Sequence, residues 1–207
     1  MARSKGARAL ILEAAVDLFA EQGYDATPVQ QIVEKAGVTK GALYHHFSAK
    51  EDILFHIYSD EFAEQLAELD RILAEGRPPE PTLRAVIHSI VTGTAKAAKA
   101  AAVFSHEVGR MSPEHYREQQ AEWRRYQDSV RDVIAKGQAD GVFATTASPH
   151  IISWAVFGVT NSMHTWFQPA GPKTAAEFAA ELADLIMHGL SVSSHGEGAA
   201  SPCPTHQ

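Results

Sequence analysis

Residues 27–50 read TPVQQIVEKAGVTKGALYHHFSAK, two short amphipathic segments divided by a glycine. Thr27 is placed to cap a helix through its hydroxyl, Pro28 suits the first helical position, and Gln30 completes a Thr-x-x-Gln capping box. Ile32, Val33 and Ala36 give that helix one apolar face, and Gly37 supplies the backbone freedom to leave it sharply. Thr39 caps a second short helix whose Leu43 and Phe47, four residues apart, share the inward side. Lys40, Gly41, Ala42, Tyr44 and His45 stay outside. The pattern predicts a helix-turn-helix, with Lys50 opening the next helix at once.

The outward residues have the chemistry of a DNA reader. A helix inserted into a major groove needs small side chains where its backbone meets base edges, and flexible or aromatic donors at its flanks to hold phosphates. Lys40, Tyr44 and Lys50 fit the phosphate role, while Thr39, Lys40, Gly41, Ala42 and His45 are the base-edge neighbours. Thr27 and Gln30, opening the preceding helix, complete the candidate set.

The run GVTKGALYHHFSAKED, Gly37 to Asp52, resembles the DNA-binding signature of the TetR family of bacterial transcriptional repressors. The likeness includes the Gly37 turn, the small Gly41 and Ala42, the Tyr-His-His-Phe run and Lys50. It implies a homodimer on a double-stranded DNA operator, released by a small-molecule effector held in a helical body. A looser likeness joins WFQPAGP (166–172), EVGR (107–110) and GQADGVF (137–143) to a subgroup that answers to acyl-CoA thioesters. That likeness implies an acyl-CoA-like effector whose anionic head Arg110, Arg124 or Arg125 would meet. WFQP also reads, and more simply, as an aromatic helix end closed by a proline turn.

A chain of 207 residues with 45% hydrophobic content allows one or two globular domains. No apolar run is long enough to span a bilayer, and MARSKGAR leads into an amphipathic helix instead of a signal-peptide core, so a cytoplasmic location is expected. The single cysteine, Cys203, allows no disulfide framework and no thiolate metal cluster. The net charge is −7, but residues 1–50 carry six Lys or Arg against five Asp or Glu, and the remainder twelve against twenty. The acid lies away from the proposed reader, and Arg3, Lys5 and Arg8 form a short basic arm ahead of it.

Helical periodicity continues along the chain. A first helix from about Ala7 to Gln22 ends at Gly23. Ser48, with Glu51 three residues later, caps a helix to about Glu75 along which Leu54, Tyr58, Phe62, Leu66, Leu69 and Leu73 form one stripe. GRPPEP (76–81) breaks the pattern, and further helices follow at about 82–99 with a continuation to 110, then 112–137, 148–167 and 174–191. The expectation is an all-α chain: a three-helix DNA-binding domain over 1–47, a helical ligand-binding and dimerisation domain over 48–191, and a disordered tail over 192–207.

Two parts of the body invite functional readings. The last two helices are apolar on more than one face, with Ala155, Val156, Val159 and Ser162 in one and Ala176, Ala179, Ala180, Ala183, Met187 and Leu190 in the other. A helix of that kind needs two partners, and the resemblance implies a four-helix bundle across a two-fold axis; covering the monomer core is the alternative. Phe104, His106, Met111, Trp123, Tyr126, Trp154, Phe157, Asn161 and His164 form an aromatic and polar set, where the resemblance implies a ligand pocket.

Other function classes find less support. The chain has no G-x-S-x-G, H-E-x-x-H, P-loop or strand-linked glycine fingerprint, and none of its eleven histidines has another four residues on. No enzyme, cofactor or metal site is therefore expected. A DNA-binding activator or helical interaction module without a ligand stays open as the alternative to a ligand-released repressor.

Overall fold

The computed structural model describes residues 6–144, 146–168 and 171–191, and every element among them is helical. In chain order these are α1 (Ala7–Gln22), α2 (Val29–Ala36), α3 (Lys40–His46), α4 (Lys50–Ala74), α5 (Pro79–Lys96) and α6 (Ala98–Glu107). A 3-10 turn at Val108–Arg110 leads to α7 (Pro113–Ala139), α8 (Pro149–Asn161), α9 (Met163–Trp166) and α10 (Ala175–Gly189). The all-α expectation holds; the tail at 192–207, and Arg3 and Lys5 of the basic arm, lie outside the described residues. No helix among the described residues is long and apolar enough to cross a membrane.

Local chemistry sets most helix starts. The hydroxyls of Thr39, Ser112, Ser148 and Thr174 accept from the backbone N–H groups of Ala42, His115, Ile151 and Glu177, and Glu177 accepts in return from the Thr174 N–H at 2.8 Å. Two expected caps are different. The α2 N-cap is Pro28, because the buried Thr27 hydroxyl is already donating to Gly23 O at 2.7 Å and accepting from Gln22 at 3.1 Å. Gln30, freed from a capping box, donates to Glu34 one turn on. At α4 the N-cap is Ala49, which puts Asp52 and not Glu51 in the capping position, where it accepts from Ser48 N, Ser48 Oγ and Ala49 N.

The two long segments expected to continue are interrupted. Ala97 separates α5 from α6, and Ser162 separates α8 from α9, its hydroxyl donating to the Gly158 and Val159 carbonyls and competing with the helix ladder.

Packing divides into two cores. The head buries Ile11, Ala15 and Phe19 of α1, Ile32 and Val33 of α2, Leu43 of α3 and Phe47. Ile53, Leu54 and Ile57 from the first turns of α4, and Ala100 and Val103 of α6, close that core from the body side. Farther along, α4 contributes Phe62, Leu66, Leu69 and Ile72 to a second core shared with α5, α7, α8 and α10. At 1.5 Å per residue the 25 residues of α4 run about 37 Å, so one rigid element belongs to both cores.

Candidate nucleic-acid interface and body cavity

The helix-turn-helix is built as its sequence suggests. Gly37 takes the left-handed conformation (φ 64°) that ends α2, and Val38 N returns to Val33 O at 3.2 Å. Leu43 and Phe47 are buried, which turns Thr39, Lys40, Gly41, Tyr44 and His45 to the outside and leaves Ala42 half-buried. Tyr44 is 48% exposed, and Lys40 Nζ lies 5.9 Å from its ring. A Cβ added to Gly41 would meet only Thr39 Oγ1, at 3.9 Å, so nothing inside the protein demands a glycine in this helix. Gly41 is the second residue of α3 and is exposed, so the space beside it opens outward.

The other candidate contacts sit differently. Gln30 is exposed on α2, but Thr27 is buried in the turn before it. Lys50 Nζ donates to Tyr24 O at 2.7 Å and Thr27 O at 3.0 Å, and stands 4.2 Å from the Tyr24 ring. Burial lowers its pKa from the usual lysine value. The lysine thus clamps the α1–α2 loop under the reader. Arg8 pairs with Asp60 at 2.9 Å.

Between α4, α5, α6 and α7 lies a cavity of about 320 Å³, within the range of small-molecule sites. From α4 it receives Tyr58, Glu61, Phe62 and Gln65; from α6, Ala100, Ala101 and Ser105. Thr94, Ala97, Gln119, Trp123 and Asn161 complete the wall. Trp123 and Asn161 are the members of the expected pocket set brought to it. Phe157 and Tyr126 are buried behind Trp123, with ring centroids 4.9 and 6.2 Å from it. Met111 is buried after the 3-10 turn, His106 is exposed at the end of α6, and Trp154 stands 57% exposed on α8, none of them lining the cavity. The side chains of Phe104 and His164 lie outside the described residues.

Among the described residues one group of donor atoms could hold a metal: Glu51, Asp52 and His115 bring ligand atoms within 4.8 Å of one another. Hydrogen bonding already accounts for them. Glu51 accepts from Ser112 N and His115 Nδ1, each at 2.8 Å, and Asp52 is committed to its cap.

Two family models cover most of the chain. Residues 11–57 match the bacterial regulatory proteins of the tetR family, and residues 76–190 match the tetracyclin repressor-like C-terminal domain. The chain belongs to the TetR family. It is 25% identical over 187 residues to the HTH-type transcriptional repressor KstR2 of Rhodococcus jostii, covering 90% of this chain and 92% of that one. The TetR family transcriptional regulator PfmR from Thermus thermophilus superposes with a TM-score of 0.80 at 32% identity, over 88% of this chain and 99% of PfmR. AibR, solved with isovaleryl coenzyme A and operator DNA, shares the fold at a TM-score of 0.75 and 24% identity, over 87% and 97% of the two chains. This TetR-family chain is a DNA-binding transcriptional regulator and not an enzyme.

Sequence reasoning misses most of the cavity wall of this TetR-family body. The apolar periodicity places Tyr58 and Phe62 in the α4 core stripe, although Glu61 and Gln65, one turn apart beside that stripe, signal a polar site bordering an apolar one.

Proposed function

We propose that the chain is a repressor that binds a palindromic operator as a homodimer in the cytoplasm and leaves it when a small hydrophobic molecule fills the body cavity. The observation carrying this reading is the double membership of α6. Ala100 and Val103 are packed in the head core, while Ala100, Ala101 and Ser105 line the cavity, so an occupant that displaces α6 also displaces the head. A ligand acts only through its different affinity for the two arrangements, and a hundredfold loss of operator affinity needs about 2.7 kcal/mol of coupling.

Lys40 and Tyr44 hold phosphates in this reading, Thr39, Gly41, Ala42 and His45 approach base edges, and Lys50 and Thr27 position the reader from behind. The dimer forms through α8 and α10, whose Ile151, Trp154, Val159 and Leu185 are large apolar side chains left outside the monomer core. A ligand-independent activator would leave the cavity without a role. An acyl-CoA effector is the second reading, favoured by the isovaleryl coenzyme A bound to AibR. The test is an operator titration by fluorescence anisotropy with Lys40→Ala/Tyr44→Ala. Binding should disappear while the dimer and its melting temperature stay within about 2 °C of the parent, since both side chains are exposed; loss of folding would place them in the core.

A further inference from the structure

The cavity is uneven in charge. Glu61 is its one carboxylate, and no lysine or arginine among the described residues lines it. Burial raises the Glu61 pKa above the usual carboxylate value, and the nearby cation, Lys96, is itself bonded to Glu64 at 2.8 Å. Gln119 Oε1 is a second acceptor, buried and without a hydrogen-bond partner, although the Gln119 side chain does bond the Tyr58 hydroxyl. The same cavity is lined by Phe62, Trp123, Ala97 and Ala101.

The arginines that an anionic head group would require are engaged elsewhere. Arg110 pairs with Asp25, Arg125 with Asp70, and Arg124 bonds Gln120. A carboxylate or phosphate entering the cavity would meet a like charge and an unpaired carbonyl. A positive group bearing N–H donors would instead find an opposite charge and an unpaired carbonyl in the same wall as two aromatic side chains, whose quadrupoles attract cations.

We propose that the effector is a compact lipophilic amine, its charged head bonded to Glu61 and Gln119 Oε1 and its hydrocarbon part against Phe62 and Trp123. This inference rests on the cavity being the effector site, and it makes Glu61 the residue that selects the effector by charge.

Three probes of nearly equal shape test it: 4-phenylbutylamine, 4-phenylbutanol and 4-phenylbutyrate, with isovaleryl-CoA alongside, each titrated calorimetrically into the full-length protein at pH 7. The amine should bind about tenfold more tightly than the alcohol, as expected of a partly shielded ion pair, and the acid and the thioester more weakly still. Glu61→Gln should bring the amine to within about twofold of the alcohol. Tighter binding of the acid or the thioester, equal binding of all probes, or an amine preference that survives Glu61→Gln would overturn the proposal and leave the cavity as effector site intact. Ala101→Trp, which occupies the same space, should abolish binding of every probe. Probe binding that ignores Ala101→Trp, or no binding of any probe to the parent, would remove the effector-site reading as well.

Discussion

Val103 and Ala101, two residues apart on α6, face different compartments: Val103 is buried in the head core and Ala101 lines the body cavity. Ala100, next to Ala101, touches both. In the proposed reading this ten-residue helix converts occupancy of one space into strain on the other, because close-packed interiors cannot deform smoothly.

Gly41 separates stability from function. Gly41→Ala adds a methyl group with room for it at a helical position, so the protein should gain roughly 0.5–1 kcal/mol and melt a few degrees higher. In the proposed reading the same methyl would stand between the helix backbone and the groove floor, so operator affinity should fall about tenfold or more. Calorimetry and anisotropy on one preparation check both signs; a variant that binds DNA as well as the parent would mean that Gly41 does not approach the bases.

Trp154 lies on the dimer face in the proposed reading. At 57% exposure it lies beside Ile151 at 53%, on the same side of α8. Trp154→Glu should leave the monomer folded, because the side chain is outside its core, and should bury an unpaired charge in the pair. Sedimentation should show monomers at micromolar concentration, with operator binding lost in parallel. A dimer that persists would move the interface elsewhere.

His56 gives the head a dependence on pH. Burial lowers its pKa from the histidine value of 6.5, with Arg8 adding to the effect and Asp60 opposing it, and its ring packs 5.7 Å from Phe47. A depressed folded pKa means that the unfolded chain takes up the proton more readily. The contribution of His56 is thus complete above about pH 6.5 and is lost as pH falls through the lower folded value. Melting temperature should decline between pH 7.5 and 5.5, and His56→Gln should flatten that decline. An identical slope in the variant would assign the titration to other groups.

Much of this was legible in the sequence where short-range chemistry decides. The Gly37 turn, the Thr39, Ser112, Ser148 and Thr174 caps and the outward set on α3 depend on neighbours within four residues. The misreadings arise where other residues compete for the same atoms, from the preceding turn at Thr27 and from distant segments at Lys50 and Glu51. Thr27 is taken by Gln22 and Gly23, Lys50 by the α1–α2 loop, and Glu51 by Ser112 and His115. The cavity was least legible, because its wall combines single sides of several helices that are each mostly core. Trp154 and Phe157, one turn apart on α8, end up in opposite surroundings, one outside and one buried.

The most direct measurement is an operator titration of the parent and Ala101→Trp side by side at several salt concentrations, with circular dichroism confirming that both are folded and sedimentation that both are dimers. A tryptophan held permanently in the cavity stands in for the effector without requiring its identity. The expected result is salt-dependent operator binding by the parent and affinity at least about tenfold weaker in the variant, near 1.4 kcal/mol of coupling. Equal operator affinity in a folded, dimeric variant with its cavity filled would contradict control of the reader by that space.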